Sequence, residues 1–337
     1  MAGLTTKLRP KSFEEVIGQT LAVKILKAVA RKPSESSTSL ILSGDYGCGK
    51  TTLARIFGRA LACETFKDTG KICFKCESCR RWEDVTNRYV EYDSSMVGNV
   101  QQIKDMKPVF ELYTDYYRVI TLDEAHLMSR PAQSALLKTL EEGNPHTFFV
   151  LCSTDPKGIL DTIHSRSLPV DFYKVDQKII SDYLSGVFEK ETGEKIEERI
   201  VDKIAFKADG HVRDGVITLE TYMLERDEEI LNIPLNDIAF FFVYIGQGKK
   251  KESEEQIQKI MKYPIAQIQR TLNYVVMKAV ETHVMGLDNV YKNITDIYKD
   301  NIINVFKLVS ELWVQGCFKD KYLTISFFYT LLRMYCK

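Results

Sequence analysis

The sequence predicts an α/β domain, built on a mostly parallel sheet with helices on both faces, that is followed by two helical domains. Short apolar segments alternate with helical segments over residues 1–175, as is typical of parallel sheets. From about residue 176 the strand signals stop and only helical patterns remain. We therefore predict an α/β domain at 1–175, a small helical domain at 176–232 and a larger all-helical domain at 233–337.

The first domain contains five apolar segments that predict strands and four periodic segments that predict helices. Within 12–31, Ser12 and Glu15 resemble a capping box at a helix start, and a break at Gly18 precedes the apolar-periodic helix. Gly143 is expected to close the last of these helices. The predicted strands are 39–44, 88–95, 117–126, 146–155 and 167–175, and the predicted helices are 12–31, 50–62, 97–113 and 130–143.

Composition places the chain among ordinary globular proteins and limits its partners. Of 337 residues, 45% are hydrophobic and 27% charged, while the formal net charge is zero. Bulk attraction to nucleic acid is therefore not expected, and any DNA contact must come from local groups. No secretory signal or membrane-spanning segment is indicated, so we expect a cytoplasmic protein with reduced cysteines.

A glycine-rich turn follows the first predicted strand and precedes a predicted helix. Gly44, Gly49, Lys50 and Thr51 match the phosphate-binding loop G-x-x-x-x-G-K-[ST] in the context that this motif requires. Backbone N–H groups of such a loop wrap the phosphates, the lysine reaches the β- and γ-phosphates and the threonine hydroxyl binds Mg²⁺. A chance match is the alternative. The predicted ATP-binding residues here are Gly44, Asp45, Tyr46, Gly47, Cys48, Gly49, Lys50, Thr51 and Thr52.

Two adjacent acids end the predicted strand 117–126. Asp123 could hold Mg²⁺ together with Thr51, and Glu124 could polarise the water that attacks the γ-phosphate. Carboxylates at the carboxyl end of a parallel strand lie where ligands bind in open α/β sheets. The sequence therefore predicts Asp123, Glu124 and Lys50 as catalytic residues.

Four of the eight cysteines lie close together in the segment 63–82. The spacing Cys63-x9-Cys73-x2-Cys76-x2-Cys79 would let four thiolates converge on one tetrahedral ion, which predicts a structural zinc module. Free thiols or a redox pair are the alternatives, although a redox pair needs only two cysteines. Four thiolate ligands would leave no open position for catalysis.

In the order of its motifs the chain resembles the AAA+ clamp loaders, and among them the bacterial DNA polymerase III gamma/tau subunits. The segments "KLRPKSFEEVIGQ", "GDYGCGKTT", "LDEAH", "LLKTLEEG", "LCSTDP", "HSRSLP" and "DGHVRDG" carry this resemblance over about 1–230. It implies nucleotide contacts from Arg9, Pro10, Val16 and Ile17, and from Thr154 and Arg213. It also implies that Arg166 reaches the ATP of a neighbouring subunit. Taken alone, Arg166 and Arg213 could be surface charges.

Four positions depart from the motifs of these relatives. Leu8 replaces a usual tyrosine, Ser167 a cysteine and Gly143 a proline, while Asn99 stands where a basic residue is frequent. The departures indicate a divergent member of the family, such as a viral one acting in the host cytoplasm.

The resemblance implies a function and an assembly. We expect an ATPase that uses ATP, Mg²⁺ and Zn²⁺ within a spiral of clamp loader subunits, opens a sliding clamp and loads it onto primer-template DNA. Residues 176–232 would form the lid and 233–337 the collar, with segment 94–104 and Arg130 near DNA backbone phosphates. The alternatives are a mainly structural loader subunit or another AAA+ DNA-remodelling motor.

Overall fold

The computed structural model describes residues 3–82, 88–96, 98–142, 144–226, 231, 234–286 and 291–299, with positions 303, 304, 307, 311, 324 and 326–331. The chain divides into two compact units, Met1–Leu231 and Asn232–Lys337. Within the described residues, no helix has both the length and the apolar character that a membrane crossing requires.

The first unit is built on a parallel sheet, as the sequence predicts. Its strands are β1 (Ser39–Ser43), β2 (Tyr89–Asp93), β3 (Arg118–Asp123), β4 (Thr147–Ser153) and β5 (Leu168–Asp171). The order across the sheet is β2-β3-β4-β1-β5, and every neighbouring pair is parallel. Strands β1 and β4 are buried along their whole length, which explains their continuous apolar sequences.

Helices cover both faces of this sheet, which confirms the predicted layering. Phe148 and Phe149 are adjacent in β4 but belong to different apolar cores, because successive strand side chains point to opposite faces. The helices up to β5 are α1 (Leu4–Lys7), α2 (Thr20–Arg31), α3 (Lys50–Ala62), α4 (Phe66–Thr69), α5 (Glu77–Arg80), α6 (Val100–Phe110), α7 (Arg130–Glu142) and α8 (Asp161–His164).

The predicted capping box at Ser12 is wrong, whereas the predicted break at Gly18 is confirmed. A 3₁₀ turn at Phe13–Glu15 is separated from α2 by a turn at Gly18. The Ser12 hydroxyl donates to Glu15 Oε1 at 3.1 Å instead of accepting a backbone N–H. Gly18 has a φ of +72°, and an added Cβ would lie 2.5 Å from Val175 Cγ1. The chain therefore turns at Gly18, and the predicted closure at Gly143 lies outside the described residues.

The remaining helices form two further apolar cores. In the first unit, α9 (Gln177–Thr192), α10 (Glu198–Ala208) and α11 (Val212–Glu225) surround a core that includes Leu184 and Ile204. The second unit contains α12 (Leu235–Gly246), α13 (Lys250–Ile260), α14 (Ile265–Met285) and α15 (Lys292–Tyr298). Its core includes Phe241 and Phe242. The prediction of helical structure after residue 176 is confirmed for the part of the chain that the structure describes.

Candidate nucleotide and thiol sites

The carboxyl ends of three central strands meet beside one cavity. Strand β4 lies between β1 and β3, so that the loop after β1 is brought next to the residues that end β3 and β4. A cavity of about 260 Å³ lies at this edge of the sheet. The side chains and loop residues that line it are Thr5, Thr6, Leu8, Arg9, Pro10, Glu15, Val16, Ile17, Tyr46, Gly47, Cys48, Gly49, Lys50, Thr51, Thr52, Asp123, Glu124, Tyr183, Val212, Arg213 and Val216.

The glycine-rich loop is fixed at its start by backbone contacts. The Gly44 N–H donates to the Ser153 carbonyl oxygen at 3.2 Å, which ties the loop to the end of β4. Gly44 has a φ of +151°, and an added Cβ would lie 2.5 Å from the Phe172 carbonyl oxygen. Only glycine fits this position without a clash, which explains why the motif begins with a glycine. Burial raises the pKa of the Cys48 thiol within the same loop.

Lys50 opens α3 and is almost fully buried. Its Nζ donates to the Gly44 carbonyl oxygen at 2.8 Å and to the Asp45 carbonyl oxygen at 2.9 Å. The ammonium group is thus held inside the loop whose N–H groups would surround a phosphate. Gly44 and Asp45 support this geometry, but they are not among the residues that line the cavity.

Thr51 and Asp123 form the predicted magnesium pair. The Thr51 hydroxyl donates to Asp123 Oδ2 at 3.0 Å, so the two oxygens that would share a cation already lie together. Burial raises the pKa of the Asp123 carboxyl, and the neighbouring Glu124 charge adds to this. A bound cation would act against both effects, because it stabilises the ionised carboxylate.

Glu124 lines the cavity and is held by a neighbouring strand. Its backbone adopts the left-handed conformation, with a φ of +50°. The Thr154 hydroxyl donates to Glu124 Oε2 at 3.0 Å, although Thr154 itself does not line the cavity. The His126 ring nitrogen Nδ1 lies 3.4 Å from the same oxygen. The structure therefore joins the predicted water-polarising acid to Thr154.

The two predicted phosphate-contacting arginines lie in different places. Arg213 lines the cavity, where it donates to the Tyr46 hydroxyl at 2.8 Å and lies 5.6 Å from the centre of the Tyr46 ring. Arg166 is exposed and does not line the cavity. Its Nε lies 2.6 Å from Glu141 Oε1, and its Nη1 donates to the Thr162 carbonyl oxygen at 2.9 Å.

The amino-terminal segment and the helices after β5 form the other walls of the cavity. Arg9, Pro10, Val16 and Ile17 line it, as the sequence suggested for a nucleotide base. Leu8, Glu15 and Val212 lie within the quoted motif segments but were not predicted to contact the nucleotide, and they line the cavity as well. Thr5, Thr6, Tyr183 and Val216 were missed, since no motif marks them. Apolar residues within amphipathic helices are indistinguishable from core residues in sequence.

The four clustered cysteines converge. The sulfurs of Cys63, Cys73, Cys76 and Cys79 all lie within 4.8 Å of one another. A tetrahedral zinc with Zn–S bonds of about 2.3 Å needs sulfurs about 3.8 Å apart, so the donor set fits this ion. Phe74 has a positive φ of 54°, which turns the chain between Cys73 and Cys76.

Backbone donors surround one sulfur of this thiol cluster. The N–H groups of Cys76 and Lys75 donate to Cys73 Sγ at 3.3 and 3.4 Å, which lowers the pKa of the Cys73 thiol to about 6. Burial raises the pKa of the Cys79 thiol. The N–H groups that point at Cys73 are suited to a thiolate that ligates a metal.

The two segments suggested for DNA contact have exposed residues. Asn99 caps α6 by accepting the Gln102 N–H at 2.9 Å, in a capping box. Met96 is exposed just before this helix, and Arg130 is exposed at the start of α7. Ser94, by contrast, is fully buried, and residue 97 lies outside the described residues.

Parallel-sheet topology, the glycine-rich loop and the adjacent acids define a P-loop ATPase of the AAA+ class. Solved structures of the Thermotoga maritima RuvB Holliday junction branch migration motor share this fold. One superposes with a TM-score of 0.50 at 18% identity, covering 66% of this chain and 70% of the other. A second structure, of a variant of the same motor, gives a TM-score of 0.51 at 15% identity, over 88% of this chain and 91% of the other.

Curated relatives narrow this class to one family. DNA polymerase III subunit gamma of Buchnera aphidicola subsp. Schizaphis graminum is 33% identical over 264 residues, covering 74% of this chain and 71% of the relative. The tau subunit of Bacillus subtilis is 34% identical over 219 residues, which are 63% of this chain and 38% of that protein. A family described as DNA polymerase III, delta subunit, matches residues 18–176. The chain belongs to the DNA polymerase III gamma/tau family of AAA+ ATPases.

Proposed function

We propose that the chain is an ATP-dependent clamp loader subunit, which opens a sliding clamp and loads it onto primer-template DNA during replication. One observation carries this proposal: Lys50, the Thr51–Asp123 pair and Glu124 meet on one cavity in a gamma/tau-type chain. A subunit that served only as structure would not need a complete phosphate loop and both acids.

ATP hydrolysis follows from this arrangement. The loop 44–52 surrounds the phosphates, Lys50 contacts the β- and γ-phosphates, and Thr51 with Asp123 holds Mg²⁺. Glu124 polarises the attacking water and accepts its proton. Thr154 keeps the Glu124 carboxylate near the γ-phosphate. The segment around Arg9, Pro10, Val16 and Ile17 contacts the nucleotide on its base side.

Arg166 acts on the ATP of a neighbouring subunit. It is exposed and lies outside the cavity of its own chain, where it pairs with Glu141. An exposed ion pair contributes only about 0–1 kcal/mol, so Arg166 can leave Glu141 at small cost when a neighbour's phosphate is presented. In this proposal the subunits form a spiral, with 176–232 as the lid and 233–337 as the collar.

Zinc has a structural role in the proposal. Cys63, Cys73, Cys76 and Cys79 would hold one Zn²⁺, whose closed ligand set leaves no position for substrate. The donor set supports the ion, and a chain segment this short gains its fold from such a site. The reducing cytoplasm is the proposed place of action, the host cytoplasm if the chain is viral.

Other loader subunits, a sliding clamp and primer-template DNA are the proposed partners. Because the net charge is zero, DNA is held by local contacts to backbone phosphates and without base-specific reading. The exposed residues of 94–104 and Arg130 are the proposed contact region.

The experiment measures ATP hydrolysis and clamp loading by the same preparation. Wild-type chain, with any loader subunits that co-purify, should hydrolyse ATP with Mg²⁺ faster when primed DNA and a polymerase III sliding clamp are present. It should also leave the clamp linked to nicked circular DNA. Glu124→Gln should bind ATP with unchanged affinity but hydrolyse it at least about 100-fold more slowly.

Two results would favour the alternatives. Clamp retention without any ATP hydrolysis by the wild-type chain would indicate a structural loader subunit. ATP-dependent branch migration of a four-way DNA junction, without clamp loading, would indicate a different AAA+ DNA motor of the kind that the RuvB-like fold allows.

A further inference from the structure

A histidine lies between the ends of strands β3 and β4. The His126 Nδ1 is 3.1 Å from Ser153 Oγ and 3.4 Å from Glu124 Oε2. The same carboxylate oxygen accepts the Thr154 hydroxyl at 3.0 Å. Ser153, His126, Glu124 and Thr154 thus form one polar chain, and the His126 side chain is only 17% exposed.

The charges around Nδ1 decide where the imidazole carries its proton. The Ser153 hydroxyl, which accepts the Asp155 N–H at 3.1 Å, can either accept from Nδ1 or donate to it, whereas an ionised Glu124 carboxylate only accepts. A lone pair on Nδ1 would face the Glu124 charge at 3.4 Å and be repelled, whereas an N–H would be attracted. The geometry therefore favours the tautomer of His126 with its proton on Nδ1.

Local backbone structure holds this ring in place. Glu124 adopts a φ of +50° and leads into the 3₁₀ turn Ala125–Leu127, which brings the His126 ring back against the Glu124 carboxylate. An added Cβ on Gly158 would lie 2.8 Å from His126 Cβ, so the histidine is packed against a position where only glycine fits without movement.

We propose that His126 is a positioning residue for ATP hydrolysis. Its Nδ1–H and the Thr154 hydroxyl approach Oε2 of Glu124 from the ends of two strands, which fixes the direction of the carboxylate. His126 does not line the cavity, so it acts through Glu124 and not on ATP. This inference rests on the proposed role of Glu124 in polarising water.

The test compares variants that keep or remove the donor at the Nδ1 position. An asparagine amide can place an N–H where Nδ1 lies, while a glutamine amide reaches the position of Nε2. For His126→Ala and His126→Gln, kcat should fall about 10- to 100-fold. This decrease is no larger than the decrease in kcat expected when a general base itself is removed. His126→Asn should recover most of kcat, and the KM for ATP should stay within about twofold in all three.

A matched control and the Glu124→Gln protein make each outcome decisive. His146→Asn changes another histidine whose Nδ1 contacts an oxygen, the Thr114 carbonyl at 2.7 Å, and should keep full activity. If wild type hydrolyses no ATP, the proposed function fails together with this inference. If Glu124→Gln is inactive but His126→Ala keeps native kcat, only the positioning role fails.

The thermal unfolding midpoint of each variant is measured as a control for folding. Should His126→Ala not unfold cooperatively, the comparison of His126→Asn with His126→Gln decides alone. Equal kcat values for these two would overturn the inference, because a packing role does not depend on which nitrogen donates.

Discussion

Replacing one cysteine of the proposed zinc site should destabilise more than the segment 63–82 that carries it. In Cys76→Ser the site loses a thiolate, and the segment 63–82 should lose its ordered structure together with the metal. This segment is not an isolated appendage, since Phe66 and Ile72 are buried in the same apolar core as Phe57 under the sheet. The Phe66 ring also contacts that of Phe13, with centroids 5.9 Å apart.

The expected cost follows from the apolar surface that would be exposed. Fully exposing a buried phenylalanine or isoleucine costs about 1.5–3 kcal/mol, so Phe66 and Ile72 together correspond to about 3–6 kcal/mol. At about 2–4 °C per kcal/mol for a unit of this size, the unfolding midpoint should fall by about 6–24 °C. This decrease in the unfolding midpoint is an upper limit, because the denatured chain keeps part of its apolar surface buried.

Elemental analysis and thermal unfolding of reduced, unchelated protein provide the assay. Wild type should hold one zinc per chain, and Cys76→Ser should hold none and melt at lower temperature. Lys75→Ser is the matched control, because it introduces the same side chain at an exposed neighbouring position that supplies no ligand. Wild-type protein without zinc would refute the metal assignment, and an unchanged midpoint in zinc-free Cys76→Ser would refute the link to the core.

Three further predictions concern the nucleotide site and its surroundings. Lys50→Ala should weaken ATP binding at least about 10-fold, measured with a labelled analogue, and native affinity would contradict the role of this ammonium group. Tyr46→Phe should strengthen ATP binding about 2- to 10-fold, since Arg213 would no longer have to leave the Tyr46 hydroxyl; weaker binding would instead mean that Tyr46 holds Arg213 in its working position. Burial raises the pKa of Glu91, but hydrogen bonds that include those from Arg55 outweigh it, so the pKa is lowered overall. The stability that this depressed pKa contributes is present above pH about 4.3, where Glu91 is ionised in both states, and is lost as pH falls through its folded pKa. The difference in unfolding free energy between wild type and Glu91→Gln should therefore shrink on acidification, and a difference independent of pH would contradict this pairing.

The sequence was most informative where a motif has a fixed geometry. Gly44, Lys50 and Thr51 could be placed beside Asp123 from spacing alone, because the carboxyl ends of parallel strands meet at one edge of the sheet. The order β2-β3-β4-β1-β5 could not be predicted, since a crossover helix does not reveal which strand it returns beside.

Other features depend on contacts between distant residues. Ser12 and Glu15 have the spacing of a capping box, but only a 3₁₀ turn follows Ser12, whose hydroxyl donates to Glu15 instead of capping a helix. Tyr183 and Val216 belong to an apolar pattern that does not distinguish cavity walls from core. His126 could have been noticed beside Glu124, although its contact with Ser153 required the structure.

Catalysis shared between subunits is the central claim, and mixing two inactive chains tests it most directly. Lys50→Ala has a defective phosphate loop and an intact Arg166, while Arg166→Ala has the reverse. Arg166→Ala alone should hydrolyse ATP at least about 10³-fold more slowly than wild type, as for other arginines that act on a transferred phosphoryl group. Lys50→Ala alone should also be nearly inactive, because its phosphate loop has lost the ammonium group. If Arg166 acts on a neighbour's ATP, mixed assemblies shown by tagged pull-down to contain both chains should regain part of the wild-type rate. Coassembled mixtures as inactive as the separate variants, or native hydrolysis by Arg166→Ala, would contradict the claim.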